Sequence, residues 1–370
     1  MSLDDRLAAA LRGEELTWRA LATTNAGLLD ACAALQISTL LHHRLGRTGP
    51  DDWPGEVRRE LARSAHASAA IEMIRSRETA SVLAGLAACG IRPILLKGAP
   101  LAHLVYDSPA LRPRADTDLL IRREEAGTVR STMRGHGYVE SLLTDGELVF
   151  CQFVMVKRDP FGVEHVFDFH WKISTQSVFS EILTYDHLTA HAIPVPSLGP
   201  HARCADAVHA LLLACIHPVM HHRNAERLIW VYDIHLLMSR LSDVEMDRFA
   251  NLAVEKRVAN ICSHQLRLAR TRLGTAVPDR VTARLSVCGS PEPSESYLRG
   301  TRRWHHELAS NVRGLPRFRD RIRLLREVLF PGPRYMLEAY RLSGCGVFML
   351  PALYGHRLMD GLWNVVAGRK

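Results

Sequence analysis

Between residues 91 and 173 the chain leaves the pattern that dominates the rest of it, and short apolar runs follow one another across turn residues. Runs such as ILL or DLLI span about one helical turn. They are better buried by pairing as strands, which makes a small sheet the architecture that accommodates them. IRPILLKG (91–98) reads as a buried strand, APLAHLVY (99–106) as the helix after it, and 107–113 as a proline-containing loop. Residues 116–121 read as a second strand and 123–135 as a helix closed by Gly135 and Gly137. Segments 138–143, 148–156 and 163–173 complete the strands, with DG at 145–146 and DPFG at 159–162 as hairpin turns.

Both flanks have a different texture. Residues 1–90 are rich in Ala, Leu and Arg, with apolar positions at three- and four-residue spacing, and Gly90 is placed to stop the last helix. After a linker holding Pro194, Pro196, Gly199 and Pro200, helical periodicity returns over 206–222 and 226–241 and continues towards the C-terminus. The expected fold is α+β: a small mixed-sheet core at 91–175, an N-terminal helical region at 1–90 and a C-terminal one at 201–370.

Composition narrows the setting. The chain has 370 residues, 47% of them hydrophobic and 23% charged, as in an ordinary soluble globular protein. The first residues carry acids and no basic head before an apolar core, so no signal peptide is expected. The most lipophilic stretch, 346–366, is broken by His356, Arg357 and Asp360, so no spanning helix is expected either, and a cytoplasmic location is the default. Eight cysteines are scattered without a CxxC pair, which argues against a disulfide framework or a structural zinc site. The net charge of +8 favours an anionic partner.

The chemistry concentrates in ALRPRADTDLLI, residues 110–121, where Asp116 and Asp118 stand at the mouth of an apolar run. Alternate residues of a strand share a face. Two carboxylates so placed repel unless a cation or basic groups lie between them, and D-x-D suits a hard divalent cation such as Mg²⁺. Taken alone, the same spacing also suits an exposed strand end. A third carboxylate, Asp168 in VEHVFDFHWKI, lies on a strand otherwise suited to burial. There an unpaired aspartate is costly. It needs either the same cation or an arginine, and Arg112, Arg114 and Arg122 are available. Lys97 and Gly98 end an apolar strand and open a helix, an arrangement that lets a phosphate approach the backbone, although a strand-end lysine reaching solvent would look the same.

The succession ILLKGAPLAHLVYDSPALRPRADTDLLI, a helix, Gly137-Tyr138 and FDFHWKI resembles the bacterial family of uncharacterised nucleotidyltransferases, a branch of the DNA polymerase β-like superfamily. ACIHPVMHHRNAERLIWVYDIHLL resembles the helical part of the same family, so the likeness covers roughly residues 90–240. It implies that Asp116, Asp118 and Asp168 are the metal-binding and catalytic carboxylates, holding Mg²⁺ or Mn²⁺, with an NTP, expected to be ATP, as co-substrate. Gly98 falls at the superfamily's glycine before the first helix. Where relatives carry Gly-Gly or Gly-Ser this chain has Gly98-Ala99, so Lys97 and Arg112 are expected to replace the missing hydroxyl as phosphate contacts, with His170 orienting Asp168. The implied reaction moves an NMP to a hydroxyl of a small molecule, peptide or protein. A catalytically silent binding protein of the same fold, or an RNA-end modifier, is the alternative.

Two further clusters carry weaker signals. His217, His221 and His222, with Asp233 or His235 on the next helix, have zinc-like spacing but interrupt it with Pro218, and packing with Trp230 is the expected role. Residues 301–341 hold ten arginines, four acids and several aromatics. A solvated amphipathic helix is expected there in preference to a nucleic-acid or lipid surface.

Overall fold

A computed structural model describes residues 2–48, 52–141, 151–286, 292–299, 304–315, 317–340, 342 and 347–366. Five helices come first: α1 (Leu3–Arg12), α2 (Trp18–Leu21), α3 (Asn25–Leu35), α4 (Ser38–Thr48) and the 34-residue α5 (Gly55–Ala88). Helix α5 ends as its glycine predicts. Gly90 takes φ 78°, and the amides of Gly90 and Ile91 donate to the carbonyls of Ala87 and Leu86, which satisfies two end carbonyls of the helix.

The sheet region follows, with β1 (Ile94–Leu96), α6 (Gly98–Leu104), β2 (Thr117–Leu120), α7 (Ala126–Gly135), β3 (Val139–Ser141), β4 (Gln152–Arg158) and β5 (Glu164–His170). The DPFG hairpin between β4 and β5 is held by the Asp159 carboxylate, which accepts from the amides of Phe161 and Val163. The DG at 145–146 lies outside the described residues.

Two short helices, α8 (Ser177–Ser180) and α9 (Tyr185–Ala190), lead to a pair of two-residue strands, β6 (Ile193–Pro194) and β7 (Arg203–Cys204). Sequence periodicity reads this stretch as plain linker. It joins the sheet because Leu95 of β1 pairs in parallel with Cys204, and Pro194, which has no amide to donate, is tolerated on the outermost strand. The strand order is β3-β4-β5-β2-β1-β7-β6.

Helices α10 (Ala207–His222), α11 (Leu228–Arg240), α12 (Asp243–Glu255), α13 (Ala259–Leu273) and α14 (Asp279–Ser286) follow, then α15 (Trp304–Gly314), α16 (Phe318–Leu329), α17 (Pro333–Ala339) and α18 (Leu350–Val366). The helix of 206–222 runs through Pro218 to His222. Among the described residues no helix is long and apolar enough to cross a membrane.

The sheet divides two apolar layers. On one face Leu95, Leu119, Phe153, Phe167 and Phe169 meet Val82, Leu83 and Leu86 of α5 and Val129 and Met133 of α7. Phe153 and Phe169 stack at 5.2 Å between centroids and are fully buried. On the other face Ile94, Leu96 and Leu120 join a large cluster that includes α10, α11, α13 and the N-terminal helices. The helices before and after the sheet thus share one core. This is the α+β arrangement the texture predicts, with helical flanks on a mixed sheet.

Candidate active site

The site grows out of strand register. Asp118 pairs with Leu96 of antiparallel β1 and with Asp168 of parallel β5, so the two aspartates stand side by side on the face turned towards α10. His170, two residues after Asp168, shares that face. Asp116 precedes β2. Continuing the β1–β2 register would set it opposite Gly98, but Gly98 already opens α6, so Asp116 has no strand partner. It is exposed to the cavity.

Two buried arginines fix the loop that delivers these acids. Arg112 grips Asp233 of α11 with Nε (2.9 Å to Oδ1) and Nη2 (2.8 Å to Oδ2), while the Tyr106 hydroxyl donates to the same carboxylate at 2.6 Å. Arg114 grips Glu72 of α5 with Nε and Nη2, each at 3.0 Å, and its Nη1 donates to the Asp116 carbonyl and to Thr117 Oγ1. Paired bonds of this type fix orientation as well as charge. The RPRAD segment is thereby tied to helices on both sides. Glu72, Asp233 and Tyr106 carry no sequence signal of this role, because each lies in an ordinary helical pattern and finds its partner only through the fold. The sequence reading assigned Arg112 to phosphate. It does line the cavity, beside Gly98, with its charge already matched by Asp233.

Lys97 adopts φ 57° and ψ −131°, in the half of backbone space that side chains rarely use. That conformation turns the chain from β1 into α6 and brings Lys97 Nζ to 2.5 Å from Asp118 Oδ1. His170, expected from the sequence to orient Asp168, instead donates from Nε2 to the same Asp118 oxygen at 2.9 Å, because the parallel β2–β5 register sets Asp118 beside it. Burial works to raise the Asp118 carboxyl, but Lys97 and His170 override it and hold the group well below the usual range. For Lys97 burial opposes the charge, Asp118 outweighs burial, and the ammonium is raised.

Asp168 has the opposite fate. Its Oδ1 is buried and has no hydrogen-bond partner among the described residues. Burial, then the neighbouring charge of Asp118, pushes its carboxyl up to about 6. Among the described residues no arginine pairs with it. Asp116, although it opens to the cavity, is likewise raised, by partial desolvation there and by Asp118. One ligand atom each from Asp118, Asp168 and His170 lies within 4.8 Å of the others.

These groups sit at one end of a cavity of about 530 Å³, which is large enough for a nucleotide-sized ligand. Leu101, Leu104, Leu213 and Leu237 give it an apolar flank. His217, His221 and Trp230 also line it, with the His222 ring stacked on Trp230 at 4.5 Å. Burial keeps the His217 and His222 imidazoles below their usual range, and that of His221 is lowered to about 3. They are therefore neutral at neutral pH and pack as aromatic rings. Arg227, which sequence reading passed over, lines the cavity 4.7 Å above the Trp230 ring, with no carboxylate partner among the described residues.

A family model described as uncharacterised nucleotidyltransferase matches residues 23–274, which takes in the whole sheet and the helices from α3 through α13. No curated protein matches the chain.

Proposed function

The chain belongs to the uncharacterised nucleotidyltransferase family, and from that premise we propose that it moves an NMP from an NTP to a hydroxyl acceptor with the help of a divalent cation. The observation that carries the cation is Asp168 Oδ1, a buried carboxylate oxygen left without a partner next to two further aspartates. All-oxygen donors of this kind suit Mg²⁺ or Mn²⁺. Asp116, Asp118 and Asp168 would hold the ion. Lys97 and His170 both bind Asp118 Oδ1, which leaves Oδ2 for the cation. A bound ion of this class would compensate phosphate charge and lower the pKa of an acceptor hydroxyl.

The protein's own groups have separate tasks in this reading. Gly98 opens α6 with no side chain of its own, next to the Arg112 guanidinium, so phosphate oxygens could approach the backbone there. Lys97 balances charge beside Asp118, and Arg227, which also lines the cavity, would supply a further positive charge. Asp168, once ionised, is the group nearest to accept an acceptor proton, and His170 positions Asp118. The apolar flank built by Leu101, Leu104, Leu213 and Leu237 excludes water from the base or acceptor. Rate acceleration would come from positioning and charge compensation.

One observation favours a second reading. Lys97 already occupies Asp118 at 2.5 Å, as an internal cation would in a protein that binds nucleotide without turning it over. Incubation with Mg²⁺ or Mn²⁺ and each α-labelled NTP, followed by mass spectrometry of candidate acceptors, separates the two. Label transfer lost in Asp168→Asn supports the enzyme. Nucleotide binding without pyrophosphate release supports the silent form, and pyrophosphate release only with RNA present would make the acceptor an RNA end.

A further inference from the structure

Three histidines outside the cavity converge where α9 meets α10. His187 lies within α9, His191 is its C-terminal cap four residues later, and His209 is the third residue of α10. One ring nitrogen from each lies within 4.8 Å of the other two. The ring centroids are 5.7 Å (His187 to His191), 4.9 Å (His187 to His209) and 5.0 Å (His191 to His209) apart.

One of these rings is held in a definite orientation. Asp206 caps α10, and its Oδ1 accepts from the His209 amide at 2.9 Å and from His209 Nδ1 at 2.6 Å. A proton fixed on Nδ1 leaves the Nε2 lone pair free. A carboxylate behind a ligand imidazole is the usual way proteins orient such a ring and increase its basicity. Other charged groups near the cluster are Arg248, 3.8 Å from Asp206 Oδ2, and Glu255 and Lys256 at the end of α12, which pair with each other at 3.0 Å.

We infer that His187, His191 and His209 form a binding site for a transition-metal dication of the Zn²⁺ class, clamping α9 to the start of α10. Three imidazoles without a carboxylate ligand select Zn²⁺, Co²⁺ or Ni²⁺ over Mg²⁺, in contrast to the aspartates proposed to hold the cation in the cavity. His191 is exposed and His187 half-buried, which gives the ion an entry path and leaves a fourth position for water. None of the three lines the cavity. His209 and His217 are eight residues apart on one helix, about 12 Å along its axis. The clamp would thus steady the helix that forms the cavity wall from its far end.

The full-length protein is loaded with Zn²⁺ or Co²⁺ in the presence of excess Mg²⁺, and bound metal is measured after gel filtration. Wild type and Asp168→Asn are each expected to retain one equivalent of zinc. With Co²⁺, both are expected to give the intense visible band of a four-coordinate nitrogen site. His191→Ala should lose both signals while keeping its far-ultraviolet circular dichroism. Asp206→Asn, which still caps α10, should weaken zinc binding roughly 10- to 100-fold. The site is refuted if wild type retains no zinc, if His187→Ala and His191→Ala both keep the cobalt band, or if Asp168→Asn alone removes it. The last outcome would place the metal in the cavity.

Discussion

Asp118 and Asp168 face each other across the parallel β2–β5 pair, yet only Asp118 has its charge answered by neighbours. Lys97 and His170 both bind Asp118 Oδ1, whereas Asp168 Oδ1 is buried without a bond. Two like groups on adjacent strands are thus driven in opposite directions, the pattern expected when paired carboxylates have different tasks.

The first prediction concerns pH. Asp168 has a carboxyl raised to about 6 in the fold, above its ordinary value of 3.8. Between those values the folded state holds more protons than the unfolded one, so stability falls as pH rises through the window. The whole effect is at most roughly 3 kcal/mol. Asp168→Asn should remove it and melt above metal-free wild type at pH 7 but not at pH 4. Mg²⁺ should raise the melting temperature of wild type and leave the variant unmoved. Thermal unfolding at both pH values, with and without Mg²⁺, checks this.

Turnover should follow the same group. At subsaturating Mg²⁺ a rise in label transfer as pH passes about 6 is expected of wild type, because Asp168 of the metal-free site must ionise before it holds a cation. Asp168→Asn should lose turnover by about 100-fold or more, on the scale of a removed acid–base or charge-stabilising group. A pH–rate profile with no inflection near that value would count against the assignment.

Lys97 tests strain against charge. At φ 57° its backbone is one that glycine adopts freely. Lys97→Ala removes the partner of Asp118 and keeps the strain, while Lys97→Gly removes both. The glycine variant should be the more stable of the two by about 1 kcal/mol, with both below wild type in nucleotide affinity. Chemical denaturation of the pair decides it, and equal stabilities would remove the backbone argument.

The clamp between Arg112 and Asp233 predicts a steep loss on breaking one side. Asp233→Ala leaves a guanidinium buried without its carboxylate and should cost about 3–5 kcal/mol. Arg112→Met combined with Asp233→Leu should recover most of that stability. It should still lose activity, because the loop carrying Asp116 and Asp118 is no longer tied to α11. A double-mutant cycle by denaturant titration measures the coupling.

Arg227 offers a milder test. Its side chain has no carboxylate partner among the described residues and lines the cavity wall, so Arg227→Ala should leave the melting temperature unchanged. The KM for the NTP should rise about tenfold, the worth of ~1.4 kcal/mol for one charged contact. An unchanged KM would exclude Arg227 from nucleotide binding.

Much of the fold was legible in the sequence. Gly90 marks a helix end through its φ of 78°, DPFG forms the β4–β5 turn through the Asp159 carboxylate, and the short apolar runs around Leu95, Leu119 and Phe169 pair as strands. These are local effects, written in the residues that produce them. Even Asp168 stood out, as an acid in a strand otherwise fit for burial. The two-residue strands at 193–204 were hidden, since prolines there read as linker and only pairing with β1 makes them part of the sheet.

What the sequence determined alone was the place of the sheet region, the end of α5 and the strand positions of Asp118 and Asp168, because backbone preference and apolar spacing act within a few residues. Tertiary structure alone decided how those acids are charged. Lys97 and Asp118, 21 positions apart, meet through β-pairing, and Arg112 and Asp233, 121 apart, meet across the shared core. A carboxylate's field comes from whatever surrounds it in space, and chain distance carries almost none of that information.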